Sequence, residues 1–318
     1  MPRPADFNRP TIITLSSIPP RLPHIGPVLR SLLAQDLPAQ AIHLYIPMRY
    51  HRFPDWDGAI PEFPAGITLH RVQSDHGPAT KILPALRHLA GHPVDILYCD
   101  DDCLFSPGWH RAFKIAAQTR PRHCIAAMGF DLRSLAKAPR PEHRLPRPSR
   151  WNTADLAQWL AAHPAPLPDE IPHHRSSGFA DIAMGHGGVL VQPDWFAQTV
   201  FDIPDESWAV DDIWLSGHLE TRGIPIWVDH QIPFPRTIRP IHHIRPLMTE
   251  ATNGLSRDAA NQASVRYFRQ TSGIWAAPQR QDDADFQTHA KHPARTAPEN
   301  APWHTHLRRA LRALFKGQ

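Results

Sequence analysis

The stretch DILYCDDDCLF (95–105) runs from apolar residues directly into three consecutive carboxylates. Its first part, DILYC (95–99), predicts a buried β-strand with Asp100, Asp101 and Asp102 at the carboxyl end, the edge at which open α/β sheets bind ligands. Adjacent like charges repel one another, so a divalent cation would stabilise this run, and hard oxygen ligands suit Mg²⁺ or Mn²⁺. A solvated acidic turn is the alternative interpretation.

Apolar runs alternate with helical patterns on both sides of this strand. Further strand candidates are TIITL (11–15), IHLYI (42–46), ITLHRV (67–72), CIAAMG (124–129) and IPIWV (224–228). Between ITLHRV and DILYC, the segment 77–92 has helical spacing despite Pro84, and we predict one helix there. This alternation predicts an α/β fold with a mostly parallel sheet flanked by helices.

The chain is predicted to form one catalytic domain, residues 1–276, followed by a tail. Within it, 137–175 is rich in Pro, Arg and His and is interpreted as a variable insertion or lid with a short helix near 153–163. Residues 277–302 are polar and rich in Pro and Ala, as in a linker. Residues 303–318 predict a basic amphipathic helix, which either packs on its own domain or lies on an anionic membrane surface.

Composition narrows the classes of partner and compartment. The net charge is +4, and basic residues do not alternate with aromatic ones in a stripe, so we expect no nucleic-acid partner. Cys99, Cys103 and Cys124 lack the paired spacing of a disulfide framework or a zinc site and are interpreted as small buried hydrophobes. No signal-peptide core or run of roughly 18 apolar residues is present. We therefore expect a cytoplasmic protein, with peripheral contact at the inner membrane face left open for residues 303–318.

Five further motifs surround the acidic run in a fixed order. They are ITLSSIPPRL (13–22), SDHGPATKILPAL (74–86), GHGGVLV (185–191), SWAVDDIWLSGHL (207–219) and RPIHHIRP (239–246). Together they resemble bacterial glycosyltransferases of the glycosyltransferase-A fold, in which an Asp-x-Asp motif after a strand binds the metal and diphosphate of a nucleotide sugar. The resemblance extends across residues 11–245.

The first motif resembles a Ser/Thr-x-Pro-x-Arg pattern that places an arginine near the donor diphosphate. Ser17, Pro19 and Arg21 take those positions, and the planar fork of arginine suits phosphate oxygens. A surface cation is the alternative for Arg21. By the second motif, Asp75 would contact the base or ribose, and Lys81 a phosphate or the donor sugar. Lys81 is expected at a helix start, where a cation is unfavourable with respect to the helix dipole unless an anion is near. Plain helix capping is the alternative for Asp75.

The third and fourth motifs imply contacts with the donor sugar and the acceptor. Gly187 and Gly188 would let the backbone approach the sugar closely, or would serve only a tight turn. Asp212, with Asp211 as second choice, matches the carboxylate that deprotonates the acceptor hydroxyl in inverting enzymes. A helix N-cap is the alternative for this pair.

The resemblance implies that the metal is held by Asp102 with Asp100, while Asp100 and Asp101 contact ribose and donor sugar. His243 or His242 would complete the metal shell, with His243 as first choice. The implied activity is metal-dependent transfer of a sugar, preferably from a UDP-sugar, to a hydroxyl of a glycan or other acceptor, with inversion. The alternatives are a noncatalytic carbohydrate-binding protein and a Mg²⁺-dependent nucleotidyltransferase or phosphohydrolase; the absence of glycine from SSIPPRLP (16–23) disfavours the latter.

Overall fold

A computed structural model describes most of the chain up to residue 275. The described ranges are 9–132, 142–162, 173–247 and 249–275. The predicted linker 277–302 and helix 303–318 lie outside the described residues, as do parts of the predicted insertion. Within that insertion, the short helix predicted near 153–163 is present.

The described residues contain short strands and helices in alternation. The strands are β1 (Thr11–Ser16), β2 (Ala41–Pro47), β3 (Ile67–Val72), β4 (Asp95–Tyr98), β5 (Cys103–Leu104), β6 (Cys124–Ala126), β7 (Gly129–Phe130), β8 (Gly178–Ala180), β9 (Ile182–Ala183), β10 (Val189–Val191), β11 (Ile226–Val228) and β12 (Arg236–Thr237). The helices are α1 (Gly26–Leu33), α2 (Leu83–His88), α3 (Trp109–Thr119), α4 (Thr153–Ala162), α5 (Asp211–Thr221), α6 (Arg239–His242) and α7 (Arg257–Ser272). Of these helices, none combines the length and the apolar content that a membrane span requires.

Eight strands form one sheet in the order β3-β2-β1-β4-β10-β6-β11-β8. The pairs β1–β2, β1–β4, β2–β3 and β6–β11 are parallel, whereas β10 is antiparallel to β4 and β6, and β8 to β11. The predicted α/β class with a mostly parallel sheet is therefore confirmed. Because β1, β2 and β4 are mutually parallel, their carboxyl ends meet at one edge of the sheet.

Apart from the edge strand β3, which is partly exposed, the sheet is buried on both faces. Successive residues of a strand point to opposite faces, so Ile12 and Ile96 pack in one apolar cluster while Ile13 and Leu97 pack in the other. Helices α2, α5 and α7 contribute to the first cluster, and α1 and α3 to the second. Burial on both sides explains why the central strands are continuous apolar runs.

The prediction of a single helix over 77–92 is wrong, because the chain forms a 3-10 helix at Gly77–Lys81 and then α2. Pro84 has no amide hydrogen, and in a helix interior its ring would meet the carbonyl four residues earlier, so it is accommodated in the first turn of α2 and not in the middle of a longer helix. Ile82, with φ −130° and ψ −42°, separates the two helices. Lys81 therefore ends a short 3-10 helix instead of beginning an α-helix.

Helices α5 and α7 pack so closely at Gly217 that a Cβ atom there would overlap the ring of Phe268. We expect Gly217→Ala to lower the free energy of unfolding by about 1–3 kcal/mol, the usual cost of overpacking a core. Urea denaturation measures this loss. Gly108→Ala is the control for adding a Cβ without overlap, because a Cβ at Gly108 meets no atom within 4 Å. Gly108 is the N-cap residue of α3, so this variant should show only the smaller loss of stability from a poorer cap. Equal stability of the two variants would contradict this account of the α5–α7 contact.

Candidate active site

A cavity of about 320 Å³ opens at the carboxyl ends of β1, β2 and β4. Its volume falls within the range of small-molecule sites, about 300–1,000 Å³. The residues expected from the sequence that line it are Ser17, Arg21, Asp75, Lys81, Asp100, Asp101, Asp102, Asp211, Asp212 and His242. Four other described residues that the sequence indicated do not line it, namely Pro19, Gly187, Gly188 and His243. Motifs far apart in sequence thus converge on one space.

Asp101 holds the loop that follows β1. Its carboxylate accepts hydrogen bonds from the Ser17 hydroxyl and, at 2.7 Å, from Arg21 Nη1. The Arg21 side chain is only 12% exposed, which excludes the surface-cation interpretation. Pro19 shapes the turn in which the Arg21 amide donates to the Ile18 carbonyl at 2.8 Å. Asp101 therefore positions Arg21 at the cavity wall.

Lys81 lies between the acidic run and the start of α5. Its Nζ is 2.5 Å from Asp100 Oδ1 and 2.8 Å from Asp211 Oδ2, and its side chain is 6% exposed. Burial opposes the charged ammonium, but the carboxylates of Asp100, Asp211 and Asp212 outweigh that effect and raise the Lys81 pKa well above its ordinary value. The anions expected near Lys81 are therefore side chains of the protein itself.

Asp212 and its neighbour Asp211 have different contacts. Its Oδ1 accepts a hydrogen bond from the Gly185 amide at 2.9 Å, whereas Asp211 is paired with Lys81. Burial, followed by repulsion from Asp211, raises the pKa of Asp212 to about 7. Neither aspartate caps α5, because the N-cap residue is Val210. A carboxylate with a pKa near neutrality is suited to general-base chemistry.

Asp75 lines the cavity and also shapes its own turn. Its Oδ1 accepts from the Gly77 amide and its Oδ2 from the His51 amide, both at 2.8 Å. The first contact is an Asx-turn, which is close to the capping alternative drawn from the sequence. The Trp208 indole donates to the Asp75 carbonyl at 3.2 Å, which brings an aromatic ring to the same side of the cavity.

The two glycines assigned to the donor sugar pack against the core instead. A Cβ at Gly188 would overlap the ring of Trp109, and Gly188 has a φ of +99° that favours glycine. The Gly187 carbonyl accepts from Trp109 Nε1 at 2.9 Å. Gly185 is the glycine of this motif that contacts cavity residues, since a Cβ there would lie 2.8 Å from Lys81 Nζ. The tight-turn interpretation therefore fits Gly187 and Gly188.

Asp102 joins the histidines of two distant motifs. Its Oδ2 lies 2.8 Å from His242 Nδ1, and its Oδ1 lies 3.7 Å from His186 Nδ1. Burial alone would raise the pKa of Asp102, but the hydrogen bond with His242 and the charges of His186 and Arg21 hold it well below its usual range. His243, the first choice from the sequence, follows α6 and lies away from the cavity, so His242 is the histidine that the structure places against Asp102.

Cys103 and His186 were missed by the sequence analysis. Within the described residues, Asp102, Cys103 and His186 each place one donor atom within 4.8 Å of the other two. Carboxylate oxygen, imidazole nitrogen and thiol sulfur together fit a divalent cation. The available signal was the position of Cys103 directly after the acidic run and of His186 inside the glycine-rich motif.

Comparison with known proteins finds distant structural similarity only. No protein-family model and no curated protein matches this sequence. Among solved structures, S. aureus TarS 1–349 has a TM-score of 0.38 and 9% identity, over 86% of this chain and 76% of that one. The complex of S. aureus TarS 1–349 with UDP has the same TM-score and identity, over 81% and 70% of the respective chains. Likeness of this degree assigns no activity to this chain.

The raised pKa of Asp212 predicts a pH-dependent cost to stability. Because the folded protein binds this proton more tightly than the unfolded chain does, the contribution of Asp212 to stability is greatest below its unfolded pKa and is lost as the pH rises through about 7. Asp212→Asn cannot titrate, so between about pH 5.5 and about pH 8 the wild type should lose stability relative to this variant.

Urea denaturation at the two pH values measures this difference in the free energy of unfolding. Asp194→Asn, at an exposed carboxylate outside the cavity, serves as the control and should follow the wild type. An unchanged gap between wild type and Asp212→Asn across this range would refute the raised pKa.

Proposed function

We propose that this chain is a glycosyltransferase that moves a sugar from a nucleotide donor, preferably a UDP-sugar, to a hydroxyl of a glycan or other acceptor. The observation that carries the proposal is that Asp100, Asp101 and Asp102 line the same cavity as Asp212. The first set suits a cation and a diphosphate, and the second suits proton abstraction. The preference for UDP rests on the resemblance of the sequence motifs.

The proposed donor site extends from the acidic run toward β2. Tyr50, Phe53 and Trp208 line that side of the cavity, and Tyr50 is fixed by donating its hydroxyl hydrogen to the Ser17 carbonyl at 2.7 Å. Flat aromatic faces suit a nucleobase, because a base can stack on them. Asp75 lies beside Trp208 and would contact the base or ribose.

Asp102, with His242 or His186, would hold the divalent cation, for which the sequence suggests Mn²⁺ or Mg²⁺. When bound, the cation would supply positive charge for the departing diphosphate. Arg21 would add a second positive charge beside the phosphates, held in place by Asp101. Asp101 is thus assigned to positioning Arg21, in place of the donor contact expected from the sequence, and Lys81 keeps Asp100 and Asp211 oriented.

Asp212 is proposed as the general base. It would take the proton of the acceptor hydroxyl while that oxygen forms a bond to the anomeric carbon, and the bond from this carbon to the diphosphate oxygen would break with its electrons leaving on the nucleotide. Attack opposite the leaving group inverts the anomeric carbon. The Gly185 amide holds one carboxylate oxygen and so fixes the orientation of the base.

Asp212→Asn should lower kcat by about 10² to 10⁴, because the amide cannot accept the proton. Its affinity for UDP should stay close to that of the wild type, because Asn keeps the acceptor for the Gly185 amide. Turnover is measured by nucleotide release and affinity by calorimetry, with Asp194→Asn as the control that retains both. Wild-type turnover in Asp212→Asn would exclude it as the base, and the product anomer, read by NMR, decides between inversion and retention.

A donor screen with the purified full-length chain tests the proposed reaction class. We expect nucleotide release from a UDP-sugar in the presence of Mn²⁺, Co²⁺, Zn²⁺ or Mg²⁺, and loss of release with a chelator. GDP-sugars and nucleoside triphosphates are included in the same screen. Pyrophosphate release from a triphosphate, with every sugar donor left intact, would instead indicate nucleotidyl transfer.

A further inference from the structure

We propose that Asp102, Cys103 and His186 form a thiolate-containing cation centre that selects a thiophilic ion, Zn²⁺ or Co²⁺, over Mg²⁺. This inference rests on the proposed function in that the ion would serve the donor cavity. It replaces the interpretation of Cys103 as a small buried hydrophobe.

The three donor atoms already stand close to the spacing of a metal shell. Asp102 Oδ1 is 3.6 Å from Cys103 Sγ and 3.7 Å from His186 Nδ1, and Sγ is 3.8 Å from Nδ1. A tetrahedral Zn²⁺ bound to sulfur at about 2.3 Å and to nitrogen and oxygen at about 2.0–2.2 Å separates its ligand atoms by roughly 3.3–3.6 Å. The spacing of the donor atoms therefore changes by only a few tenths of an ångström around an ion. The imidazole, whose two nitrogens lie 3.8 and 3.5 Å from Sγ, would also turn to point the Nδ1 lone pair at the ion.

The second ring nitrogen of His186 has the kind of partner that metal-binding histidines have. His186 Nε2 lies 3.2 Å from Thr237 Oγ1 and 3.5 Å from Cys103 Sγ. A histidine ligand generally donates its other ring N–H to a neighbouring acceptor, which fixes the tautomer. Donation from Nε2 to the Thr237 hydroxyl would leave the lone pair of Nδ1 for the ion.

The short ladder between β5 and β12 holds this arrangement together. Thr237 pairs directly with Cys103 in the antiparallel register, so their side chains lie on the same face. The backbone that positions the thiol thus also positions the hydroxyl that orients His186. The carboxylate and the imidazole line the donor cavity, whereas Cys103 is fully buried behind them.

The charge and the open side of this group suit a bound ion. On binding, the thiol would release its proton to solvent, and the charges of the thiolate and of Asp102 would balance a divalent cation. Three protein ligands with an open position toward a substrate cavity are typical of catalytic zinc sites. Mg²⁺ takes oxygen ligands in octahedral geometry, so a thiolate in the shell disfavours it.

The test is a titration of the metal-free, full-length chain with Co²⁺. We expect one ion per chain, a sulfur-to-cobalt charge-transfer band in the near ultraviolet, displacement of Co²⁺ by Zn²⁺ and no displacement by excess Mg²⁺. Cys103→Ser should lose the band, whereas Cys124→Ser, at a buried cysteine in β6, should keep it. Failure of the wild type to bind Co²⁺, or binding without the sulfur band, would overturn the proposal even if Cys103→Ser does not fold.

A second pair of variants examines Thr237. Thr237→Val should weaken Co²⁺ binding by about 10- to 100-fold, the usual effect of removing a partner of a ligand, and Thr237→Ser should retain it because the hydroxyl remains. Equal affinity in both would contradict the assigned role. If the sulfur-to-cobalt band appears but no sugar is transferred, the cation centre is supported and the proposed transferase activity is contradicted. If sugar transfer depends on Mg²⁺ and the band is absent, the transferase activity is supported and the cation centre is contradicted.

Discussion

The ion pairs of Lys81 with Asp100 and Asp211 are the interaction on which the candidate site depends. They connect the end of β4 to the first turn of α5, two elements far apart in sequence. Burying the carboxylates of Asp100 and Asp211 without a partner would carry a large desolvation cost, and pairing with the Lys81 ammonium offsets that cost. The same contact pairs Asp211 with the ammonium, whereas Asp212 has no cation of its own at that distance among the described residues and has a raised pKa. The ammonium of Lys81 therefore stabilises both the contact between β4 and α5 and the arrangement of carboxylates proposed for catalysis.

Two backbone features make room for that ammonium. Pro84 prevents one continuous helix, so Lys81 ends a 3-10 helix before α2 begins. Gly185 leaves space for Lys81 Nζ and donates its amide hydrogen to Asp212. A side chain at position 185 would crowd the ammonium and disturb the proposed base together. Single residues with no reactive group thus decide where the reactive groups lie.

The central strands were predictable, because burial on both faces makes them continuous apolar runs. The edge strand β3 is partly exposed, and its prediction from ITLHRV (67–72) also matches the structure. Strands β5 and β12 have two residues each, which is too short for any periodic signal. The proximity of His186 and Cys103 was not predicted either, because it depends on contacts between distant segments in the folded structure. The packing of Gly187 against Trp109 is likewise a long-range contact that local sequence does not encode.

If the cavity is a donor site that requires a cation, UDP should bind tightly only in the presence of that ion. The acidic run repels a diphosphate, and a bound cation reverses the sign of that interaction. Calorimetric titration of the full chain with UDP, with a divalent cation and with a chelator, measures this directly. The account predicts that affinity falls by at least about tenfold with the chelator, or about 1.4 kcal/mol. Equal affinity under both conditions, or no binding of UDP under either, would contradict it.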